Sequence, residues 1–301
     1  MAQPEGLWLG ADISADEARL VAIDPRGHVV DVRRLLDPPT PESICAGLAV
    51  LQARARDPIL AVGLAHADPV VALAIATAAE KALGVPAVSA GPATSLALHE
   101  ARSGCLQGVR DAVLLDVGMT LGLGVLVDGR ALHLDGRDPD IAHLSIDSAG
   151  PLCSCGGRGC LVTYLGPQAL SHAAQLAQLP LHDSGAGGST FDLGSRAQRD
   201  DPLARALLAE AADAAARALQ HAVRLFGAQH AAMRWPGAAP DSTVVALLQA
   251  RLQRWLPDLP PLRIALAQPV GVARGAALRA RQVARFGATL RGPAHRPSRP
   301  P

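Results

Sequence analysis

Aromatic residues make up only 2% of this chain, with three phenylalanines, three tryptophans and one tyrosine. Large flat side chains therefore cannot build its core. Alanine, leucine and valine must do so, within a hydrophobic share of 49%. Charge of either sign is balanced, since 28 Lys and Arg against 27 Asp and Glu leave a formal net charge of +1. A near-neutral chain lacks the basic footprint that would hold nucleic acid or an acidic membrane surface. Long apolar runs are missing too. Stretches such as VVALAIATAA fall well short of the roughly 20 residues a bilayer requires. The opening MAQPEGLWLGAD has no basic segment followed by an apolar one, so no secretory leader is expected and the cytoplasm is the expected compartment. With 301 residues, the chain is long enough for two domains.

Cysteine is scarce as well, five in all, yet three of the five fall within eight positions. Cys153, Cys155 and Cys160 have the spacing C-x-C-x4-C, with Gly156, Gly157 and Gly159 among them. In a reducing compartment such a cluster points to metal before disulfide. The glycines let the backbone turn sharply enough to aim three sulfurs at one point. His143 lies ten residues upstream. Three thiolates and an imidazole complete a closed tetrahedral Zn²⁺ shell, which leaves no position for water and so implies a structural ion. The plainer alternative is three ordinary buried cysteines. Cys45 and Cys105 lie in apolar helical surroundings and are expected in the core.

The rest of the chain alternates strands and helices, the pattern of an α/β fold. GLWLGADIS and ARLVAIDPRGHVVDVRRLLD predict a strand, a tight turn and a hairpin. PESICAGLAVLQARAR predicts a helix started by Thr40 or Ser43, and DPVVALAIATAAEKALG one stopped by Gly84. Near residue 110 the pattern restarts with DAVLLDVGMTLGLGVLVDGRALH, which implies an internal duplication. A long amphipathic helix follows Asp200 or Asp201. The expected division is an N-terminal lobe over 1–107, a C-terminal lobe over 108–290, and an irregular tail over 291–301. The last helix, at about 271–286, is expected to pack back on the N-terminal lobe. The glycine-rich DSGAGGST, residues 183–190, follows no strand and is expected as a surface loop. His66, His172, His182, His221 and His230 have no metal-ligand spacing.

The segment AHLSIDSAGPLCSCGGRGCLVTY resembles the zinc signature of the ROK family, whose members are repressors, open reading frames and sugar kinases. GADISADEARLVAIDPRGHVV and VLLDVGMTLGLGVLVDGR stand where that family has its two phosphate motifs, and the resemblance extends over nearly the whole chain. It implies a two-domain actin-like ATPase fold, related to ribonuclease H and sugar kinases. It also implies a homodimer. In the family's kinases ATP, with Mg²⁺, and a sugar share one cleft.

Compared with the family pattern, the chemistry is thinned. The first phosphate loop keeps Asp12, but Ser14 and Ala15 stand where the family has two glycines that let backbone N–H groups approach phosphate, and Asp16 and Glu17 where it has a polar and a basic residue. Both carboxylates could instead point to solvent. The second loop keeps Gly118, Gly122 and Gly124, while Met119 replaces a hydroxyl; of a later glycine pair only Gly237 remains. The catalytic base falls on Pro92, which has nothing to titrate, and the preceding asparagine on Gly91. On the sugar side Asp140 and His143 remain, but the glutamate after the last cysteine is Val162. The expectation is a catalytically inactive ROK-like protein that binds a sugar or a protein partner, with a structural Zn²⁺. One rival is an ATP-dependent glucokinase or amino-sugar kinase using an unusual base such as Asp12 or Asp116. Another is a regulator whose DNA-binding module is missing. Only eleven residues precede Asp12, so DNA binding by this chain alone is not expected.

Overall fold

The computed structural model describes residues 6–118, 120–132, 134–179, 188–235, 242–266 and 268–290. The elements run β1 (Leu7–Ile13), β2 (Ala18–Ile23), β3 (Val29–Leu35), α1 (Pro41–Arg54), β4 (Ile59–Ala65), α2 (Pro69–Leu83), β5 (Ala87–Ala90) and α3 (Pro92–Ser103). Then come β6 (Ala112–Val117), β7 (Leu121–Val127), β8 (Arg130–Ala131), a 3-10 turn at Leu161–Thr163, α4 (Pro167–Leu176), α5 (Gly188–Gln198) and α6 (Pro202–Phe226). β9 (His230–Arg234), α7 (Thr243–Trp255), β10 (Arg263–Ile264) and α8 (Gly271–Leu290) complete the chain.

Two units emerge. The first is the chain up to Ala90 together with the part from Ala273 on; the second is Gly91–Val272. The boundary thus precedes α3 instead of following it at 107, because α3 lies against β6 and β7 of the second unit.

In the first unit the sheet order is β3-β2-β1-β4-β5. β1, β2 and β3 pair antiparallel, and β4 and β5 join in parallel. β1 and β4 are buried nearly end to end. Strands that read as continuous apolar runs need cover on both faces. One cover is α1 and α2, whose Ile44, Leu48, Leu51, Ile75 and Ala79 pack with Leu9, Leu20 and Leu64. The other is α8, which approaches so closely that a Cβ on Gly10 or Gly63 would overlap its backbone. Local signals place the helices. Thr40 and Ser43 form a reciprocal capping box at α1, and Asp68 caps α2, which ends on Gly84 in the left-handed region.

The second sheet has the order β10-β9-β6-β7-β8, with the same pairing senses. It is the first sheet repeated, which is the duplication expected from the sequence. Its core is aliphatic, centred on Val113, Leu115, Leu123, Leu165, Leu208 and Leu219, with a file of buried alanines along α6. Asp201 caps α6 through the Leu203 and Ala204 N–H groups, and Gly227 ends it. α5 was not expected. Residues 188–190, expected within a loop, open this helix, and its Leu193 and Ala197 are buried. The expected loop residues 183–187 and the tail 291–301 lie outside the described residues. Together the paired sheets and helices make the actin-like ATPase fold. No helix among the described residues is long and apolar enough to cross a membrane.

Candidate functional site

The cysteine ribbon is built from tight backbone turns. Cys153 N–H donates to Gly157 O at 2.8 Å, Gly156 N–H to Cys153 O at 3.0 Å, and Gly159 N–H to Pro151 O at 2.8 Å. Gly156 and Gly159 adopt φ of +89° and +61°, values that side-chain-bearing residues avoid. A bridge between Ser145 and Cys160 ties the ribbon to the segment that carries His143. As a result one ligand atom each from His143, Cys153, Cys155 and Cys160 lies within 4.8 Å of the others. Cys155 Sγ and Cys160 Sγ are 3.6 Å apart, and Cys153 Sγ is 3.5 Å from His143 Nδ1. Tetrahedral bonds of zinc length require about 3.8 Å between sulfurs and about 3.6 Å between sulfur and nitrogen. The donor set and its spacing therefore fit Zn²⁺.

Electrostatics point the same way. The Cys155 backbone N–H, with its neighbours, pulls the Cys153 thiol down to about 6. Burial and the adjacent sulfurs push Cys160 up to about 12. Three thiolates side by side repel one another, and a divalent cation at their centre removes that conflict. By contrast, Cys105 is a half-buried thiol that desolvation and Glu100 push up to about 12, and Cys45 packs against the first core.

A cavity of about 320 Å³ opens beside this ribbon in the second unit, lined among others by Gly118, Thr120, His143, Val162, Gly166 and Gln168. Of the residues expected from the sequence, it gathers Gly118, His143 and Val162. Asp140 is elsewhere: it is exposed, and its carboxylate accepts the His143 N–H at 3.4 Å. Thr120 and Gln168 escaped the sequence reading, since a hydroxyl and an amide at loop and helix starts carry no spacing signal. Gly122 and Gly124, expected at a nucleotide, stand where α3 comes close to β7. A Cβ on Gly122 would stand 2.8 Å from Ala93 Cβ, and one on Gly124 would overlap the Ala93 carbonyl. Met119 and Gly237 lie outside the described residues.

Pro92 is the first residue of α3, a position where its fixed φ and missing N–H cost nothing. The N-cap Gly91 has no side chain to offer. Asp138 takes over instead, with its carboxylate oxygens accepting the Ala93 and Thr94 N–H groups, each at 2.8 Å. No sequence signal marked Asp138, because it lies 45 residues from Ala93.

Asp116, at the end of β6, is buried and receives both Nε and Nη2 of Arg234, each at 2.6 Å. Burial pushes its carboxyl above the usual range, and the guanidinium pulls against that. In the first unit, Asp12 is half-buried on β1, opposite Arg19. The β1–β2 turn is closed by Ser14 N–H to Glu17 O at 2.9 Å. Asp16 there is exposed. Glu17 is not: its carboxylate accepts Arg34 Nε at 2.6 Å and also pairs with Arg19.

Comparison with known proteins agrees with this geometry. The profile of the ROK family matches residues 65–258. The transcriptional repressor Mlc of Escherichia coli K12 is 29% identical over 175 residues, which is 56% of this chain and 43% of the repressor. A glucokinase of Streptomyces coelicolor is 28% identical over 189 residues, again 56% of this chain and 59% of the kinase. The aligned region thus spans about half the length of these relatives. Among solved structures, the ROK hexokinase of Thermus thermophilus superposes with a TM-score of 0.80 at 25% identity, covering 92% of this chain and 99% of that one. A ROK glucokinase of Streptomyces griseus, solved with glucose and AMPPNP, gives a TM-score of 0.70 at 24% identity over 92% of this chain and all of that one, a likeness of fold. With the duplicated sheets, the Cys₃His ribbon and a family match over well more than half of its length, the chain belongs to the ROK family.

Proposed function

We propose that this chain is a ROK protein without phosphoryl-transfer activity that binds a sugar, or a protein partner, with a structural Zn²⁺ shaping its second unit. The observation that carries the reading is Pro92 at the start of α3, where the family resemblance calls for a carboxylate base. General base catalysis contributes about 10²–10⁴ in rate, and a proline ring can supply none of it. Two further observations support it. The β1–β2 turn presents no glycine, and Glu17 is committed to Arg19 and Arg34. Asp116, the substitute base nearest to the second glycine turn, has both oxygens bound by Arg234. Phosphoryl transfer is chiefly positioning and electrostatic stabilisation, so the loss of several holding groups together removes it.

Zn²⁺ would be held by His143 Nδ1 and the sulfurs of Cys153, Cys155 and Cys160. It supplies cross-linking charge and no catalysis, because the shell is closed. With Nδ1 on the ion, the imidazole keeps its proton on Nε2, leaving His143 as a donor at the cavity. The Streptomyces griseus neighbour holds glucose, which makes sugars the first ligand class to try on this chain.

The rival reading is an ATP-dependent sugar kinase. A coupled ATP-consumption assay over hexoses and amino sugars decides between them. The expected outcome is no sugar-dependent turnover by the wild type or by Pro92→Asp. Saturable turnover by the wild type would overturn the inactive reading. The repressor likeness is tested by retention on operator-type DNA, where none is expected. A homodimer belongs to the proposal, and light scattering at micromolar concentration should return twice the chain mass.

A further inference from the structure

β3 is an outer strand of the first sheet, so one of its edges has no neighbour among the described strands. Such an edge offers a row of N–H and C=O groups to any strand that can lie beside it. The register of β3 against β2 is regular from Leu35 to Asp31, and side chains alternate along that stretch. Asp31 and Arg33 take the face toward α1. There Asp31 lies 3.7 Å from Arg54, and Arg33 Cδ is 3.7 Å from the place of a Cβ on Gly47. Arg33 has no ion-pair partner among the described residues. Val32 takes the other face and is 47% exposed. Its N–H donates to Asp31 Oδ1 at 2.8 Å, not to β2, and so faces the open edge. In an antiparallel ladder the C=O of the same residue faces the same way.

We propose that β3 is the surface through which two copies of this chain associate: the strands pair antiparallel about a two-fold axis at Val32 and join the two first sheets into one. This rests on the homodimer reading and names the surface that makes it. Identical strands related by a two-fold axis set side chains of the same face opposite each other, so the axis passes through a residue. An axis at Asp31, Arg33 or Arg34 sets that charge against its own copy. The axis at Val32 sets Asp31 against Arg33 of the second copy, and the symmetry makes that pair twice. Within the regular stretch this register alone opposes unlike charges. It also lets the two Val32 residues exchange N–H to O=C bonds and pack their exposed side chains together. In a single copy the Asp31 carboxylate holds the outward N–H. In the pair the Val32 carbonyl of the second copy accepts it, and Asp31 turns to Arg33.

The test is sedimentation velocity of the full chain over a micromolar concentration series, with melting temperature measured in parallel. Wild type should be a dimer. Arg33→Asp sets like charges across the axis twice and should weaken association about 100-fold, and Asp31→Arg should do the same. The double variant Asp31→Arg/Arg33→Asp restores unlike pairs and should associate within about tenfold of wild type. Val32→Pro removes the outward donor without touching the ladder to β2, so it should yield folded monomers. Single charge variants that dimerise as wild type does would overturn the proposal and leave the homodimer standing. Weakened single variants that the double variant does not rescue would overturn it too. A wild type that stays monomeric across the series would overturn the homodimer reading and this proposal with it. If Val32→Pro does not fold, the three charge variants decide by themselves.

Discussion

The two sheets follow one plan, β3-β2-β1-β4-β5 and β8-β7-β6-β9-β10, but the hairpin turns at their centres have diverged. In the first unit, the β1–β2 turn is a four-residue closure without glycine, and its Glu17 is tied down by arginines on the neighbouring strands. In the second, the β6–β7 turn keeps Gly118 and borders a cavity. Glycines elsewhere show what was retained. Gly10 and Gly63 let α8 reach the first sheet, and Gly122 and Gly124 let α3 reach the second. Glycine stands where a helix backbone must touch a strand, whereas the β1–β2 turn, which by resemblance is the place of the family's first phosphate motif, carries none. Packing demands are felt by every folded copy of the chain, whereas a phosphate cradle matters only to phosphoryl transfer.

The largest effect should come from the part that only the second unit has. Cys155→Ser, or exhaustive chelation, should remove one zinc per chain and destabilise the second unit by several kcal/mol, because metal affinity there is folding energy. Elemental analysis and a melting curve check both claims, and chelator-free protein without stoichiometric metal would break this contrast between the units.

Next is the buried pair at the end of β6. Arg234→Ala leaves Asp116 buried without its partner, which costs about 3–5 kcal/mol. The cost should shrink in acid. Sign and window follow from burial: removing the guanidinium removes a lowering influence, so the folded-state pKa of Asp116 rises further above its unfolded value. A carboxyl raised in this way destabilises the fold above that pKa and not below the unfolded one. Denaturant unfolding of the variant at neutral and at acid pH measures the difference.

Gly124→Ala should be milder, at about 1–3 kcal/mol, since the new methyl group must push the Ala93 carbonyl and α3 away from β7. Gly63→Ala should do the same to α8 on the first sheet. Similar losses of melting temperature from both would sharpen the view that these glycines serve helix docking in each unit. Smallest of all is Glu17→Gln. Its partners are half-exposed arginines, so the loss should stay below about 1 kcal/mol. It should also create no nucleotide affinity, which equilibrium binding of a labelled ATP analogue would show.

Most of the fold could be read from local signals. The capping box at Thr40 and Ser43, the stop at Gly84 and the cap at Asp201 each sit where a helix end needs a partner for its backbone. α5 could not, because its first residues are Gly188, Ser189 and Thr190, poor helix formers held by tertiary packing of Leu193 and Ala197. The grouped donors His143, Cys153, Cys155 and Cys160 were legible because dense cysteine spacing is what a closed metal shell needs. The cavity was only half legible: Gly118, His143 and Val162 carried motif positions, whereas Thr120 and Gln168 became neighbours through folding.

The sequence by itself determined the repeated strand pattern, the aliphatic core that an aromatic-poor composition must build, the Cys₃His donor set, and the absence of a titratable group at Pro92. These depend on residue type and short spacing, which the chain order contains. Tertiary structure alone decided that Glu17 is spent on arginines, that Arg234 holds Asp116, and that Asp138 reaches the first turn of α3 from 45 residues away. Such pairings depend on which segments each sheet brings together within its own unit, and on a missing Cβ at Gly91 that only acquires meaning once a carboxylate stands beside it.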